Sequence, residues 1–111
     1  MKRKLHTDEQ AELVLNYLKT NKHKTISGGQ LKDLFQLTTI QLQGMIHDLR
    51  IQRQPIISKG NLGYNYSTDK EEILKTYMSL MKRGMSIIHA AQGLFGIIDN
   101  GGDTEWRTDD V

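Results

Sequence analysis

Thr39, Gln41, Gln43 and His47 lie along one predicted helix, and their chemistry is hydrogen bonding rather than bond breaking. A glutamine amide can pair bidentately with the N6 and N7 atoms of adenine, and a histidine can donate to a guanine edge or to a phosphate. Arg50 and Arg53 near the end of that helix, Lys59 in the loop beyond it, and Lys2, Arg3 and Lys4 in an N-terminal arm are candidates for phosphate contacts, which position a duplex without reading it. Each of these side chains also has a plainer reading as solvated surface. What argues for them jointly is their concentration on elements predicted to face one side.

Catalysis has no comparable set of residues. The chain contains no cysteine, and its four histidines, His6, His23, His47 and His89, are scattered without metal-ligand spacing. No HExxH, GxSxG, GxGxxG or Walker pattern occurs, so hydrolase elbows and phosphate cradles have no sequence support. The expectation is a binding protein, not an enzyme, with no catalytic residue, metal or cofactor.

The elements that must position these side chains are marked by repeated helix-capping signals. Thr7-Asp8-Glu9-Gln10 opens a first helix running to about residue 20, with Ala11, Val14, Tyr17 and Leu18 at helical spacing and Leu13 and Leu15 widening the apolar arc. Thr25-Ile26 reads as a one-bond strand pairing with a later ribbon. Ser27-Gly28-Gly29-Gln30 opens a short second helix with Leu31, Leu34 and Phe35 inward, and Gln36-Leu37 carry the turn. Thr38-Thr39-Ile40-Gln41 opens the third helix, predicted over 38–53. At 100° per residue Leu42, Met45, Ile46 and Leu49 face inward, while Ile40, Gly44, His47 and Ile51 face outward.

Pro55 ends that helix, and a hairpin follows. Ile56-Ile57 and Tyr64-Asn65-Tyr66 have strand character, with Lys59-Gly60-Asn61-Leu62-Gly63 as the turn. Thr68 to Glu71 is the last capping signal, opening a long helix predicted over 69–93. The predicted fold is therefore α+β: a winged helix-turn-helix with a three-helix core, a two-stranded wing over 55–67 and a long C-terminal helix. The domain is expected over 7–95, preceded by the arm 1–6 and followed by an acidic, flexible tail 96–111 in which Trp106 is a possible anchor for a partner.

Charge is unevenly placed. The net charge is +2, but residues 1–66 hold ten Lys/Arg against five Asp/Glu, and residues 67–111 hold five against eight. A basic N-terminal part suits a polyanion partner. No signal peptide and no membrane-spanning run is read from the sequence, so a cytoplasmic location is expected. In the long helix Ile73, Tyr77, Leu80, Gly84, Ile87, Ile88 and Ala91 form one stripe, and Leu74, Met78, Met81 and Met85 form a second beside it. The second stripe either packs under the wing or against the first helix, or forms a homodimer interface; methionine adapts to each of these roles.

The segments Gln30-Leu31-Lys32-Asp33-Leu34-Phe35, Leu37-Thr38-Thr39-Ile40-Gln41-Leu42, Met45-Ile46-His47-Asp48-Leu49-Arg50, Gln54-Pro55-Ile56-Ile57-Ser58, Gly63-Tyr64-Asn65-Tyr66 and Glu71-Glu72-Ile73 resemble the small winged-helix proteins of phages and prophages of Gram-positive bacteria. They also resemble the N-terminal DNA-binding domain of biotin-operon-type repressors. The resemblance covers about residues 10 to 95 and rests on fold-forming positions, among them Ile46 with Leu49 and the Gly63-Tyr64 start of the return strand. It implies a regulator or accessory protein that binds double-stranded DNA, with the helix 38–53 in the major groove and the wing on the backbone. This sequence departs from such proteins at Gln43, Gly44 and Ile51, where a run of Arg/Lys is common. A winged-helix module for protein interaction, such as a replication or transcription accessory factor or a host-directed phage protein, is the alternative, with a partner bound through the third helix or the acidic tail.

Overall fold

The computed structural model describes residues 8–22 and 24–101. Among them the chain runs through α1 (Asp8–Thr20), α2 (Gly28–Phe35), α3 (Thr39–Ile51), β1 (Ile56–Ser58), a 3-10 turn (Gly60–Leu62), β2 (Tyr64–Tyr66) and α4 (Lys70–Gly96). A π-helical turn, Ile97–Gly101, continues α4. The described residues thus form an α+β arrangement of four helices and a two-stranded antiparallel sheet, in the order read from the sequence. They divide into two units, one up to Thr76 and one from Tyr77. The arm 1–6, Thr7, His23 and the residues beyond 101, Trp106 included, lie outside the described residues.

In the first unit α1 buries Ala11, Val14, Leu15 and Leu18 along one stripe. Leu13, expected to widen that stripe, is exposed, because it sits about 200° round the helix from Ala11. The inward face of α3 is as predicted, with Leu42, Met45, Ile46 and Leu49 all buried. Val14, Leu18, Leu31, Met45 and Ile46 are the most completely enclosed side chains. Each such burial stabilises the unit by about 1.5–3 kcal/mol. Tyr17 meets Phe35 edge to face, with ring centroids 5.8 Å apart.

Local capping sets where the helices begin and end. Ser27 Oγ accepts from the Gln30 amide at 3.0 Å, but the Gln30 side chain does not return the bond and donates instead to the Tyr17 hydroxyl at 3.3 Å. Gln36, at φ 53°, turns the chain out of α2 in a left-handed conformation. The short helix then covers only a narrow arc between Leu31 and Phe35. Leu34, expected on that buried face, is 51% exposed. Asp69, not Thr68, caps α4: its Oδ1 accepts from the Glu71 amide at 2.8 Å, and its carbonyl accepts from the Ile73 amide at 3.0 Å. A carboxylate is favoured there because the N-terminal end of the helix is positive. At the other end the helical path continues through Gly101, past the point at which a tail was expected.

The hairpin pairs Ile56 with Tyr66, Ile57 with Asn65 and Ser58 with Tyr64. The minimal pairing expected of the segment before α2 is a single-residue bridge: Ile26 donates to the Tyr64 carbonyl at 2.8 Å and accepts from the Tyr64 amide at 2.9 Å. Gly63 makes this approach possible. Its φ is 133°, and a Cβ there would collide with the Ile26 carbonyl and with the backbone of Ser27. Asn65 is buried beside it, and its amide, oriented by its hydrogen-bond network, donates to the carbonyls of Lys24 at 2.6 Å and Lys22 at 3.0 Å. Gly63→Ala is therefore expected to destabilise the protein by on the order of 2 kcal/mol or more, read as a lower midpoint in urea unfolding. Gly60→Ala, with φ 59° but open space around it, is expected to cost less.

Candidate nucleic-acid interface

Thr38 holds the start of α3 with a complete capping box. Its Oγ1 accepts from the Gln41 amide at 3.1 Å, and the Gln41 side-chain oxygen accepts from the Thr38 amide at 2.9 Å. The sequence signal was sound, but it has a consequence for chemistry. Bidentate pairing with adenine needs both ends of a glutamine amide, and the oxygen of Gln41 is engaged in the cap. Gln43, by contrast, is exposed, and its side-chain amide has no hydrogen-bond partner among the described residues.

The remaining outward positions form one continuous face. Thr39 and His47 are exposed, Gly44 is half-buried, and Ile40 and Ile51 are 65% and 67% exposed. Thr39 Oγ1 accepts from Lys32 Nζ at 3.0 Å. That bond brings a cation from α2 to the first turn of α3. Sequence reasoning overlooked Lys32 because it sits on a different helix; its position one residue after buried Leu31 was the available clue.

Two of the expected phosphate contacts are otherwise employed. Arg50 donates through Nε to the Ile56 carbonyl at 2.8 Å and through a terminal nitrogen to Ser58 Oγ at 2.9 Å, clamping the end of α3 to β1. A half-buried guanidinium held in this way is a structural link. Lys59, expected at the tip of the hairpin, pairs with Glu72 Oε2 at 2.8 Å. The tip itself is Gly60-Asn61-Leu62 and carries no charge.

Arg53 is different. It is exposed, and it adopts φ 68° in the turn after α3, where its amide donates to the Arg50 carbonyl at 2.9 Å and the Gln54 amide donates to the Leu49 carbonyl at 3.0 Å. Glycine is the usual residue at such a helix end. Lys2, Arg3 and Lys4 lie outside the described residues. The four residues expected at a dimer interface, Leu74, Met78, Met81 and Met85, are all exposed.

No group of three or more His, Asp or Glu side chains suited to a metal ion occurs among the described residues. No described helix is long and apolar enough to cross a membrane. Comparison with protein-family models, with curated proteins and with solved structures found no match for this chain.

Glu72 links the hairpin to the start of α4. It accepts from Lys59 and also from Ser67 Oγ at 2.6 Å, and these bonds, Lys59 first, hold its carboxyl below the ordinary value for glutamate. A lowered folded-state pKa contributes stability that is present above the unfolded value and is lost as pH falls through the folded one. The thermal midpoint is thus expected to fall more steeply below about pH 4.3, the ordinary glutamate value, in the natural chain than in Glu72→Gln. Equal acid slopes in the two proteins would show that the triad adds nothing to stability.

Proposed function

We propose that this protein is a winged helix-turn-helix that binds double-stranded DNA through the outward face of α3, as a small regulator or accessory protein. The observation that carries the reading is that face: Thr39, Gln43 and His47 are exposed on a helix whose opposite side is entirely committed to the core, with Lys32 hydrogen-bonded beside its first turn. Gln43 and His47 are then the candidates for base edges, with Thr39 close to them, while Lys32 and Arg53 take phosphates near the two ends of the helix. Gln41 serves chiefly as the cap that sets the direction of the helix.

A second reading has its own observation. Ile40 and Ile51 are large, apolar and two-thirds exposed on the same face, which suits an apolar protein partner as well as a thymine methyl. On that reading a captured partner is lost with Ile40→Asp and retained with Lys32→Gln.

A salt-dependent titration of the full chain with mixed-sequence duplex DNA tests the first reading. Affinity should fall linearly in log–log form with a slope of about −0.9 per neutralised phosphate. Lys32→Gln and Arg53→Gly should each lower affinity and reduce that slope by about one contact. Arg53→Gly is the more informative, because removing a side chain from a left-handed position should leave stability unchanged or raise it by up to about 1 kcal/mol. Absence of binding at low salt would overturn the proposal.

A further inference from the structure

α4 exposes nearly all of its apolar surface from Leu74 onward. From Leu74 to Ile97, eleven large apolar side chains are exposed, at between 37% and 69%. The stripe containing Tyr77, Leu80, Ile87 and Ile88, which would ordinarily dock a helix on its own core, is exposed along with the methionine stripe. At on the order of 100 Å² for each side chain, this is roughly 1,000 Å² of apolar surface per chain. Monomers seldom carry a patch above about 600 Å². A standard stable interface buries about 800 Å² per partner.

The spacing of the residues says what kind of partner fits. Leu74, Tyr77, Met81, Gly84, Ile88, Ala91 and Phe95 are separated alternately by three and four residues, a heptad seam sustained along the helix. Met78 and Met85 flank it on one side, and Leu80, Ile87 and Leu94 on the other. Lys75, Lys82, Arg83 and His89 all fall on the opposite, polar side. A seam of period 3.5 is the pattern by which a helix pairs with another helix of the same kind.

The sizes along the seam favour one orientation. If two copies run parallel, Gly84 faces Gly84 and Ala91 faces Ala91, leaving two thin layers between bulky ones, and unfilled layers are destabilising. If they run antiparallel about residue 86, Gly84 faces Ile88, Met81 faces Ala91 and Tyr77 faces Phe95 of the second copy. Small then meets large, and aromatic meets aromatic. We propose that α4 pairs with α4 of a second copy of this chain as an antiparallel coiled coil centred near Ser86, widening the expected interface of Leu74, Met78, Met81 and Met85 to the whole heptad seam. The inference stands apart from DNA binding and is tested without it.

The full chain should show twice its 12.7 kDa mass by light scattering or sedimentation at micromolar concentration. Ile88→Glu should weaken association by about a hundredfold or more, since it buries a charge at the seam, while Ser79→Glu, on the polar side, should not. Circular dichroism of Ile88→Glu at a concentration where the natural chain is also monomeric separates loss of pairing from loss of folding. Orientation is read with spin labels, because the chain has no cysteine to compete with an introduced one. Antiparallel pairing separates the two copies of residue 75 by about 33 Å along the axis and brings the two copies of residue 86 level, at 1.5 Å rise per residue. Labels at Lys75→Cys should thus lie at least about 10 Å farther apart than labels at Ser86→Cys. A 12.7 kDa particle at all concentrations, association that survives Ile88→Glu, or equal label distances at the two sites would each overturn the proposal.

Discussion

The first unit depends on one close backbone approach. Ile26 and Tyr64 exchange two hydrogen bonds, and they can do so only because Gly63 has no side chain to meet the Ile26 carbonyl. This contact ties the segment before α2 to the hairpin after α3, elements far apart in the chain. Buried Asn65 extends the same junction to the carbonyls of Lys22 and Lys24. Arg50 completes the closure by joining the end of α3 to β1. α3 buries its apolar face in the core and leaves its other face to solvent.

That closure sorts the polar side chains into two groups. Gln41, Arg50 and Lys59 are engaged by the fold, in a cap, a clamp and an ion pair, and what they offer to a ligand is reduced accordingly. Gln43, His47 and Arg53 stay exposed, and Lys32 joins them through Thr39. The division follows from satisfaction of polar groups. Gln41, Arg50 and Lys59 have backbone groups or a carboxylate within hydrogen-bonding distance, whereas Gln43, over the middle of the exposed face, does not.

α4 obeys a different constraint. From Leu74 to Ile97 every large apolar side chain it carries is exposed. That apolar surface on one helix, with Lys75, Lys82 and Arg83 on the side away from it, is the basis of the proposed pairing with a second helix.

Much of the fold was legible in the sequence, for local reasons. The capping signals at Ser27 and Thr38, the inward set Leu42, Met45, Ile46 and Leu49, the stop at Pro55 and the glycines of the hairpin turn are decided by neighbours a few residues away, and the structure follows them. Leu13 and Leu34 were misjudged because apolar character does not say how wide an arc the neighbouring helices will cover. At α4 the cap is Asp69, whose Oδ1 takes the Glu71 amide and whose own amide donates to Ser67 Oγ, a choice between neighbours that the Thr68-to-Glu71 spacing does not make. At the candidate site the sequence by itself determined which helix presents the outward face and which residues stand on it. Only the tertiary structure decided that Arg50 is bonded to β1, that Lys59 pairs with Glu72 and that Lys32 stands beside Thr39, because hydrogen bonds and ion pairs form between groups that meet in space, and spacing along the chain does not encode those meetings.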